Sequence, residues 1–478
     1  MPDAPEPRRA VGRMLALALA TAAWSCAPPV TESPAASFPA TPASLLVSGG
    51  TVVTLDAADT VLAGGAVAVV AGRIAAIGPA AELEAAYPEA RRVDAGGGII
   101  MPGLVNAHTH APMVLFRGLA DDLDLMEWLQ GHIFPAEAEH VDEEFVRWGT
   151  RLACLEMLRG GTTTFADMYY FEDVIAREVE RCGIRAVLGE TLIDFPAPDH
   201  ETWDEAMAYT RRFVERWRGH ERIRPAVAPH APYTVSGEHL VAAHALAAEL
   251  DVPLLIHLAE DRHEVADVRS RTGTTSIDYL DRLGVLEDRV LAAHVVWPTA
   301  AEIELLAERR VGVAHCPQSN MKIAAGVAPV PAMLAAGVAV ALGTDGAASN
   351  NDLDLWEEID TAAKLHKVVA ADPTVVDARQ AVRMATIEGA RALDMEDEIG
   401  SLEVGKRADL VVVGVDGFHQ QPHYGLYSLL AYSTKAADVD TVIVDGVVVV
   451  ENGRVLTVDA AATLARAAEY RDRIRPAP

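Results

Sequence analysis

From about residue 100 to about residue 345, short runs of β-branched and small apolar residues alternate with longer amphipathic stretches. Eight runs predict strands, at 99–110, 162–168, 185–191, 223–230, 253–260, 290–296, 311–317 and 338–345. The stretches between them repeat apolar residues every three or four positions, as in 142–161, which ends at paired glycines, and so they predict helices. Eightfold strand–helix alternation predicts an α/β fold, a (β/α)8 barrel with reactive groups at the carboxyl ends of its strands.

The segments on either side of this pattern differ from it. Residues 45–98 and 401–455 consist of short apolar runs broken by Gly and Asp, with turn signals such as DG and NG. We expect these two flanking segments to pair into one small β-sandwich beside a barrel that spans 99–400. The remaining residues, 456–478, are expected to form a C-terminal helix or tail.

The N-terminal residues 1–26 have the three-part form of a secretory signal. Three arginines precede the apolar stretch 14–24, and Cys26 follows it as a candidate lipidated residue. Residues 27–44 are rich in Pro, Ala, Ser and Thr and predict a flexible tether. We therefore expect an exported protein, periplasmic or lipid-anchored at Cys26. An ordinary signal peptide and a misassigned start in a cytoplasmic protein are the alternatives.

Charge and cysteine content narrow the classes of partner. The chain of 478 residues has 40 Lys and Arg against 69 Asp and Glu, a formal net charge of −29. Phosphate-rich partners would be repelled, so we expect no nucleic acid and no anionic membrane surface as a partner. The four cysteines, which are too few for a disulfide framework, are Cys26, Cys154, Cys182 and Cys316.

Candidate chemistry lies where the predicted strands end. His108 and His110 are two positions apart, so in a strand they point to the same face and can share a metal ion; a hydrogen-bonded pair is the alternative. The other strands end in or carry His230, His257, Glu260, His294, His315 and Asp345. Imidazoles and one carboxylate, with a position left for water, are typical of a catalytic zinc site. The candidate ligand set is His108, His110, His257 and Asp345.

Several longer motifs make the chain similar to a known family. They are VNAHTHAPMVLFRGLADDLDLMEWLQGHIFPAEA (105–138), EMLRGGTTTFADMY (156–169), APHAPYT (228–234), IHLAED (256–261), AHCPQSNMKIAAGVAPV (314–330) and LGTDGAASNNDLDLWEEID (343–360). With them the chain resembles the amidohydrolase superfamily and, within it, the 5-methylthioadenosine/S-adenosylhomocysteine deaminases. The resemblance runs from about residue 45 to about residue 455.

The resemblance implies a role for each candidate residue. It makes His108, His110, His257 and Asp345 the metal ligands, with Asp345 also catalytic. His294 would lie close to the reacting water, and Glu260 would be the proton shuttle. Of the two substrate-binding residues, His230 would contact the base and Glu137 the ribose hydroxyls.

The cofactor implied is one divalent ion. Zn²⁺ is the first expectation, with Fe²⁺, Mn²⁺ and Ni²⁺ as alternatives. Two-metal relatives carry a carboxylated lysine at the end of the fourth strand, whereas this strand ends in APHAP. We further expect a homo-oligomer, either a dimer or a tetramer.

The activity implied is hydrolytic deamination of 5′-modified adenosines to inosine analogues and ammonia. 5′-Methylthioadenosine, S-adenosylhomocysteine and adenosine are the candidate substrates. The arginines that hold the amino-acid carboxylate of S-adenosylhomocysteine in the family have no evident counterpart in 194–213. One alternative is an aminohydrolase or chlorohydrolase that acts on a triazine, guanine or pterin ring. An alternative of another class is a catalytically idle, exported purine-binding protein.

Overall fold

The computed structural model describes residues 45–474. The predicted signal at 1–26, including Cys26, and the predicted tether at 27–44 lie outside the described residues. Among the helices of the described part, none combines the length and the apolarity needed to span a bilayer.

Seventeen strands are described, and they divide between two sheets. In chain order they are β1 (Leu45–Val53), β2 (Val61–Val70), β3 (Arg73–Pro79), β4 (Arg91–Asp94), β5 (Ile99–Pro102), β6 (Leu104–Thr109), β7 (Thr162–Tyr169), β8 (Arg185–Leu192), β9 (Ile223–Pro229), β10 (Leu254–Leu258), β11 (Val290–His294), β12 (Gly312–His315), β13 (Val340–Leu342), β14 (Leu410–Val413), β15 (Val439–Val444), β16 (Val447–Glu451) and β17 (Arg454–Val455).

Most helices lie between consecutive strands from β6 to β13. They are α1 (Ala80–Ala86), α2 (Leu125–Trp128), α3 (Phe134–His140), α4 (Glu143–Arg159), α5 (Glu172–Cys182), α6 (Trp203–Trp217), α7 (Gly237–Leu250), α8 (Arg262–Thr272), α9 (Ser276–Arg282), α10 (Ala300–Arg309), α11 (Pro317–Lys322), α12 (Val330–Ala336), α13 (Leu355–Ala370), α14 (Ala378–Met384), α15 (Ile387–Ala392), α16 (Leu426–Tyr432) and α17 (Ala460–Ile474), with 3-10 turns at Ala111–Phe116 and Ala436–Asp438 and a π-turn at Leu129–Ile133.

Strands β6 to β13 form the predicted barrel. They pair in sequence order, and every registered pair among them is parallel. The first and last strands meet where the Asp345 amide donates to the His108 carbonyl over 2.9 Å. Beside this contact, the side-chain amide of Asn106 donates to the Thr344 hydroxyl over 2.8 Å. The (β/α)8 prediction is therefore confirmed, and the barrel closes next to two of the candidate ligands.

Helix α4 shows how the local sequence sets these elements. The Asp142 carboxylate accepts a hydrogen bond from the Phe145 amide over 2.7 Å, which caps the first turn. The helix stops at Gly160, and Gly161 follows with a φ of 90°, a conformation that favours glycine. Both ends agree with the helix predicted over 142–161.

The predicted first strand, 99–110, is two strands. Ile99–Pro102 pairs with β1 and β14 in the flanking sheet, and only Leu104–Thr109 belongs to the barrel. The break falls at Gly103, where a Cβ would lie 2.1 Å from the Thr163 hydroxyl oxygen. Only glycine fits at this close approach. The apolar pattern of 99–110 does not reveal that the pairing partner changes at this residue.

The flanking segments join as predicted. They form one nine-stranded sheet, in the order β17-β16-β15-β14-β5-β1-β2-β3, with β4 paired to β1. The antiparallel pair of β5 and β14 connects the half before the barrel to the half after it. Side chains from both halves, including Val47, Val67, Leu410 and Ile443, pack in one apolar core. The last helix, α17, lies within the segment 456–478.

Candidate active site

Four side chains meet where the barrel closes. His108 lies on β6, His110 just after it, His257 on β10 and Asp345 just after β13. One carboxylate oxygen of Asp345 lies 3.6 Å from Nε2 of His108 and 3.3 Å from Nε2 of His110. The Nε2 atoms of His110 and His257 are 3.2 Å apart. His108 belongs to two groups of mutually close ligand atoms, one with His110 and Asp345 and the other with His257 and His294.

Hydrogen bonds behind these side chains fix their orientation. Nδ1 of His110 lies 2.5 Å from the Met168 carbonyl, and Nδ1 of His257 lies 2.7 Å from the His230 carbonyl. A ring nitrogen facing a carbonyl is the donor, so Nε2 of each ring presents its lone pair to the cluster.

The carboxylate of Asp345 is held in a similar way. Its Oδ2 accepts hydrogen bonds from the hydroxyls of Ser319 and Ser349 over 2.7 and 2.9 Å. The backbone amide of Gly346 donates to Oδ1 over 2.6 Å. The carboxylate is thus fixed in place while Oδ1 still faces the histidines.

Three separations that link the four residues fit a shared divalent ion. Ligands about 2.1 Å from a tetrahedral centre lie roughly 3.4 Å from one another, close to the 3.2 to 3.6 Å between His110 and His257, His108 and Asp345, and His110 and Asp345. Nε2 of His108 is buried and has no hydrogen-bond partner among the described residues. An imidazole nitrogen of this kind needs a partner, and a cation supplies one.

The protonation equilibria of the four residues are also consistent with a bound cation. Burial lowers the pKa of His108 and, with the neighbouring imidazoles, takes that of His257 well below its usual value. Burial opposes ionisation of Asp345, but the nearby imidazoles of His108 and His110 hold its pKa well below the usual range. Burial also opposes protonation of His110, yet Asp345 raises its pKa to about 9. A bound cation would displace that proton.

Glu260 and His294 lie beside the four candidate ligands. One carboxyl oxygen of Glu260 is 3.7 Å from Nε2 of His294, and both side chains are at least 95% buried. Nδ1 of His294 faces Oδ1 of Asn320 over 3.0 Å, which leaves Nε2 turned to the cleft. Burial, followed by the charges of Asp345 and Glu264, raises the pKa of Glu260 well above its usual value. These surroundings favour the protonated form of Glu260.

A pocket opens over this group. The residues that line it are His110, Met113, Leu125, Trp128, Leu129, Ile133, Phe134, Glu137, Met168, Tyr169, Tyr170, Thr191, His230, Tyr233, His257, Glu260, His294 and Asp345. Most of its apolar residues come from the segment between β6 and α4, which also supplies His110 and Glu137. The other ionisable groups come from the later strands and the loops after them, so the pocket suits a ligand with an aromatic ring and a few polar atoms.

Glu137 and His230 are two polar groups of the pocket wall. Glu137 lies on α3, is 4% exposed, and has its pKa raised by burial to about 7, against the opposing effect of the Tyr169 hydroxyl. Nδ1 of His230 lies 2.8 Å from the Thr234 hydroxyl oxygen. Burial lowers the pKa of His230 to about 3, so its imidazole is neutral.

Known proteins with similar sequences and structures identify the family of the chain. Residues 99–449 match the model of the amidohydrolase family. The chain belongs to that family. Within it, the chain is 49% identical over 434 residues to the 5-methylthioadenosine/S-adenosylhomocysteine deaminase of Syntrophobacter fumaroxidans, which covers 91% of this chain and 99% of the relative. A shorter match, at residues 65–90, is to a bacterial imidazolonepropionase-like composite domain.

Two solved amidohydrolase structures show the same architecture. An adenosine deaminase from Xanthomonas campestris with bound zinc superposes with a TM-score of 0.90 at 45% identity, over 92% of this chain and 100% of that chain. The atrazine chlorohydrolase of Arthrobacter aurescens, complexed with zinc, gives a TM-score of 0.83 at 26% identity, over 89% and 99% of the two chains.

In this amidohydrolase, the structure brings together all eight residues singled out as candidate metal, catalytic or substrate-binding groups, since each is in the cluster or lines the pocket. His315, which ends the seventh barrel strand, is not in the pocket lining. Its Nε2 lies 3.0 Å from Nε2 of His366 on α13, inside a buried pair. His315 thus ends its strand as expected, but its side chain contacts a helix outside the barrel sheet instead of lining the pocket.

Three residues that position the site were missed as such. Ser319 and Ser349 hold Asp345, and Asn320 contacts His294. All three lie inside the motifs 314–330 and 343–360, but their type is common in turns and helix caps. Only the fold shows which atoms their side chains reach.

Proposed function

We propose that this amidohydrolase is a metal-dependent deaminase that converts 5′-modified adenosines, 5′-methylthioadenosine first among them, to inosine analogues and ammonia. The observation that carries the proposal is one pocket in which Glu260, a buried acid beside the metal cluster, is combined with Glu137, a second buried carboxyl group. The first suits a proton transfer to a ring, and the second suits the hydroxyls of a sugar. The names of the relatives support the same reaction.

The divalent ion would be held by His108, His110, His257 and Asp345, and we propose Zn²⁺, which the Xanthomonas structure contains. An ion at this point supplies Lewis-acid chemistry that makes water acidic near neutral pH. The site contains no lysine among the residues described around it, so a single ion is proposed at the strand ends.

Asp345 is the residue placed to accept the proton of the attacking water. Its Oδ1 faces the cluster, while Ser319 and Ser349 prevent the carboxylate from rotating. The imidazole of His294, oriented by Asn320, holds the water toward the ring carbon that carries the amino group. The water oxygen forms a bond to this carbon, and the aromatic conjugation of the ring is lost.

Glu260 completes the addition by protonating the neighbouring ring nitrogen, which receives the electron pair of the broken double bond. The proton held by Asp345 then passes to the amino group. The carbon–nitrogen bond breaks and ammonia leaves, while the proton of the added hydroxyl passes to the Glu260 carboxylate, so the ring keeps the oxygen as an oxo group and the acid is restored. General acid–base help of this kind contributes roughly 10²- to 10⁴-fold in rate.

The pocket wall sets the preferred substrate. Glu137 would accept hydrogen bonds from the ribose hydroxyls, and the neutral imidazole of His230 would bind an edge of the base. Among the described residues that line the pocket, none is Lys or Arg, so the carboxylate of S-adenosylhomocysteine finds no cationic partner there. We therefore place 5′-methylthioadenosine and adenosine ahead of the longer substrate.

An ammonia-release screen tests this proposal. Zinc-loaded protein is assayed with 5′-methylthioadenosine, adenosine, S-adenosylhomocysteine, adenine and a chlorotriazine. The proposal expects the two compact nucleosides to give the highest kcat/KM. Turnover of the triazine alone would favour the chlorohydrolase alternative, and tight nucleoside binding without ammonia would favour a binding protein.

We also propose that the protein is exported and anchored through Cys26. The support is the arginine-rich start, the apolar stretch 14–24 and the tether-like 27–44. Cells grown with labelled palmitate should give a labelled chain, and Cys26→Ser should remove the label. An unlabelled, full-length chain in the cytoplasm would contradict both export and anchoring.

A further inference from the structure

A second group of metal-binding side chains lies behind the pocket wall, between β7 and the loop that follows β8. It consists of Glu190 on β8 and Asp199 and His200 in the loop before α6. One ligand atom from each lies within 4.8 Å of the other two. The side chains are 0%, 2% and 10% exposed, respectively.

The carboxylates are held so that one oxygen of each stays free. Oε2 of Glu190 accepts a hydrogen bond from the Glu172 amide over 3.0 Å, and Oδ2 of Asp199 accepts one from the Phe171 amide over 2.8 Å. Phe171 has a φ of 57°, an unusual value for a bulky residue, and this turn aims the two successive amides at the two carboxylates.

The three remaining atoms converge, and Asp199 lies close enough to pair with His200. Nδ1 of His200 lies 3.0 Å from Oδ1 of Asp199 and 4.0 Å from Oε1 of Glu190. All three are buried, and none has a hydrogen-bond partner among the described residues. Within the same part of the chain, no Lys or Arg forms an ion pair with Glu172, Glu190 or Asp199. Burial and the nearby charge of Asp199 raise the pKa of Glu190 well above its usual value, so ionisation of this carboxyl group is unfavourable unless a cation is bound beside it.

We propose that Glu190, Asp199 and His200 bind a second divalent transition-metal ion, separate from the ion at the strand ends. The imidazole nitrogen lies 3.0 and 4.0 Å from the two carboxylate oxygens, and all three atoms are within 4.8 Å of one another, a spacing that a shared ion can bridge. The imidazole favours a transition metal over Mg²⁺ or Ca²⁺, which prefer oxygen ligands alone. The ion ties the loop before α6 to β8 and neutralises the charge behind Tyr170 and Thr191.

Zinc counting on the whole chain tests this site without reference to activity. Protein is equilibrated with excess Zn²⁺, freed of loose metal by gel filtration, and analysed by mass spectrometry for zinc per chain. We expect two equivalents in the wild type, one in His110→Ala, one in Asp199→Asn and none in the double variant. Asp194→Asn is the matched control, because its carboxylate contacts Ser236 and His239, outside the group, and it should keep two.

His200→Gln gives a second route in case Asp199→Asn does not fold, as judged by circular dichroism. Combined with His110→Ala, it should remove the equivalent that His110→Ala retains. One equivalent in the wild type with none in His110→Ala would overturn the proposal. So would an unchanged zinc content in folded Asp199→Asn or His200→Gln. Neither result bears on whether the protein deaminates nucleosides.

Discussion

At the scale of single residues, the positions of Glu260 and Glu137 in the pocket give these two carboxyl groups different functions. Both are buried in the same pocket, and burial raises the pKa of each. Glu260 lies 3.7 Å from His294 and next to the metal cluster, whereas Glu137 lies on α3 near Tyr169. A proton donor is therefore placed at the reacting end of the ligand, and a hydrogen-bond acceptor elsewhere on the wall.

Replacing Glu260 with Gln should separate proton transfer from metal binding. The amide keeps the shape of the side chain but cannot deliver the proton, so kcat should fall by roughly 10²- to 10⁴-fold. Zinc content should stay at the wild-type value because Glu260 is not a ligand. Glu308→Gln, the same change at an exposed position, is the control. Near-native kcat in Glu260→Gln would remove this residue from the mechanism.

Replacing Glu137 with Ala should reveal whether the substrate carries a sugar. Charge-assisted hydrogen bonds to ribose hydroxyls contribute about 1.5–3 kcal/mol each, so kcat/KM for adenosine or 5′-methylthioadenosine should fall by roughly ten- to a hundredfold or more. A 2′,3′-dideoxy nucleoside lacks those hydroxyls and should be affected much less. An equal loss for both substrates would mean that Glu137 only supports the pocket wall.

At the scale of the elements, the ends of β6 and β13 that carry candidate ligands contact each other directly. A Cβ added to Gly343 would lie 2.9 Å from both the Cβ and the backbone nitrogen of His108. The glycine is therefore required for the two strands to come close enough for Asp345 to face the histidines.

Gly343→Ala should loosen this junction. Overpacking of a close contact costs about 1–3 kcal/mol, and displacement of an oriented ligand weakens metal binding by roughly tenfold or more. Thermal unfolding and a zinc titration measure the two effects. Gly131→Ala is the control, since its added Cβ meets no heavy atom within 4 Å. Unchanged zinc affinity in Gly343→Ala would show that β6 and β13 can separate without harm.

Elements are also the scale at which sequence and structure agree best. The eight barrel strands could be predicted because apolar runs alternate with amphipathic stretches along the chain. The candidate ligands could be predicted from the types of residue at the strand ends. Gly103 shows the limit, because the pattern continues through it while the hydrogen-bonding partner changes from one sheet to the other. The direction of a side chain is equally hidden, as the outward turn of His315 toward His366 shows.

At the scale of the whole molecule, one buried ion pair connects the barrel to the flanking sheet. Arg185 on β8 donates to both carboxylate oxygens of Asp409, just before β14, over 2.7 and 3.1 Å. The two side chains are 4% and 2% exposed. Without Asp409, the buried guanidinium keeps only the longer pair with Asp445, at 3.6 Å, so this contact is more important than the exposed pairs of the surface.

Asp409→Asn should therefore destabilise the protein by up to about 3–5 kcal/mol, the cost of a buried charge left without a partner, measured from urea-unfolding midpoints. Glu451→Gln is the matched control, because it breaks the exposed pair with Arg91 and should cost no more than about 1 kcal/mol. Equal effects of the two changes would show that the sheet and the barrel do not depend on Arg185 for their contact.

The central claim is that the protein is a nucleoside deaminase whose reaction depends on the ion at the strand ends. The most direct test measures ammonia release and zinc content together in the wild type and in His110→Ala. We predict that the wild type releases ammonia from 5′-methylthioadenosine, and that His110→Ala loses both this activity and one equivalent of zinc relative to the wild type. Three remaining ligands leave a weaker and misaligned site. Ammonia release that persists in a His110→Ala sample lacking that zinc, or zinc-loaded wild type that releases none, would contradict the account.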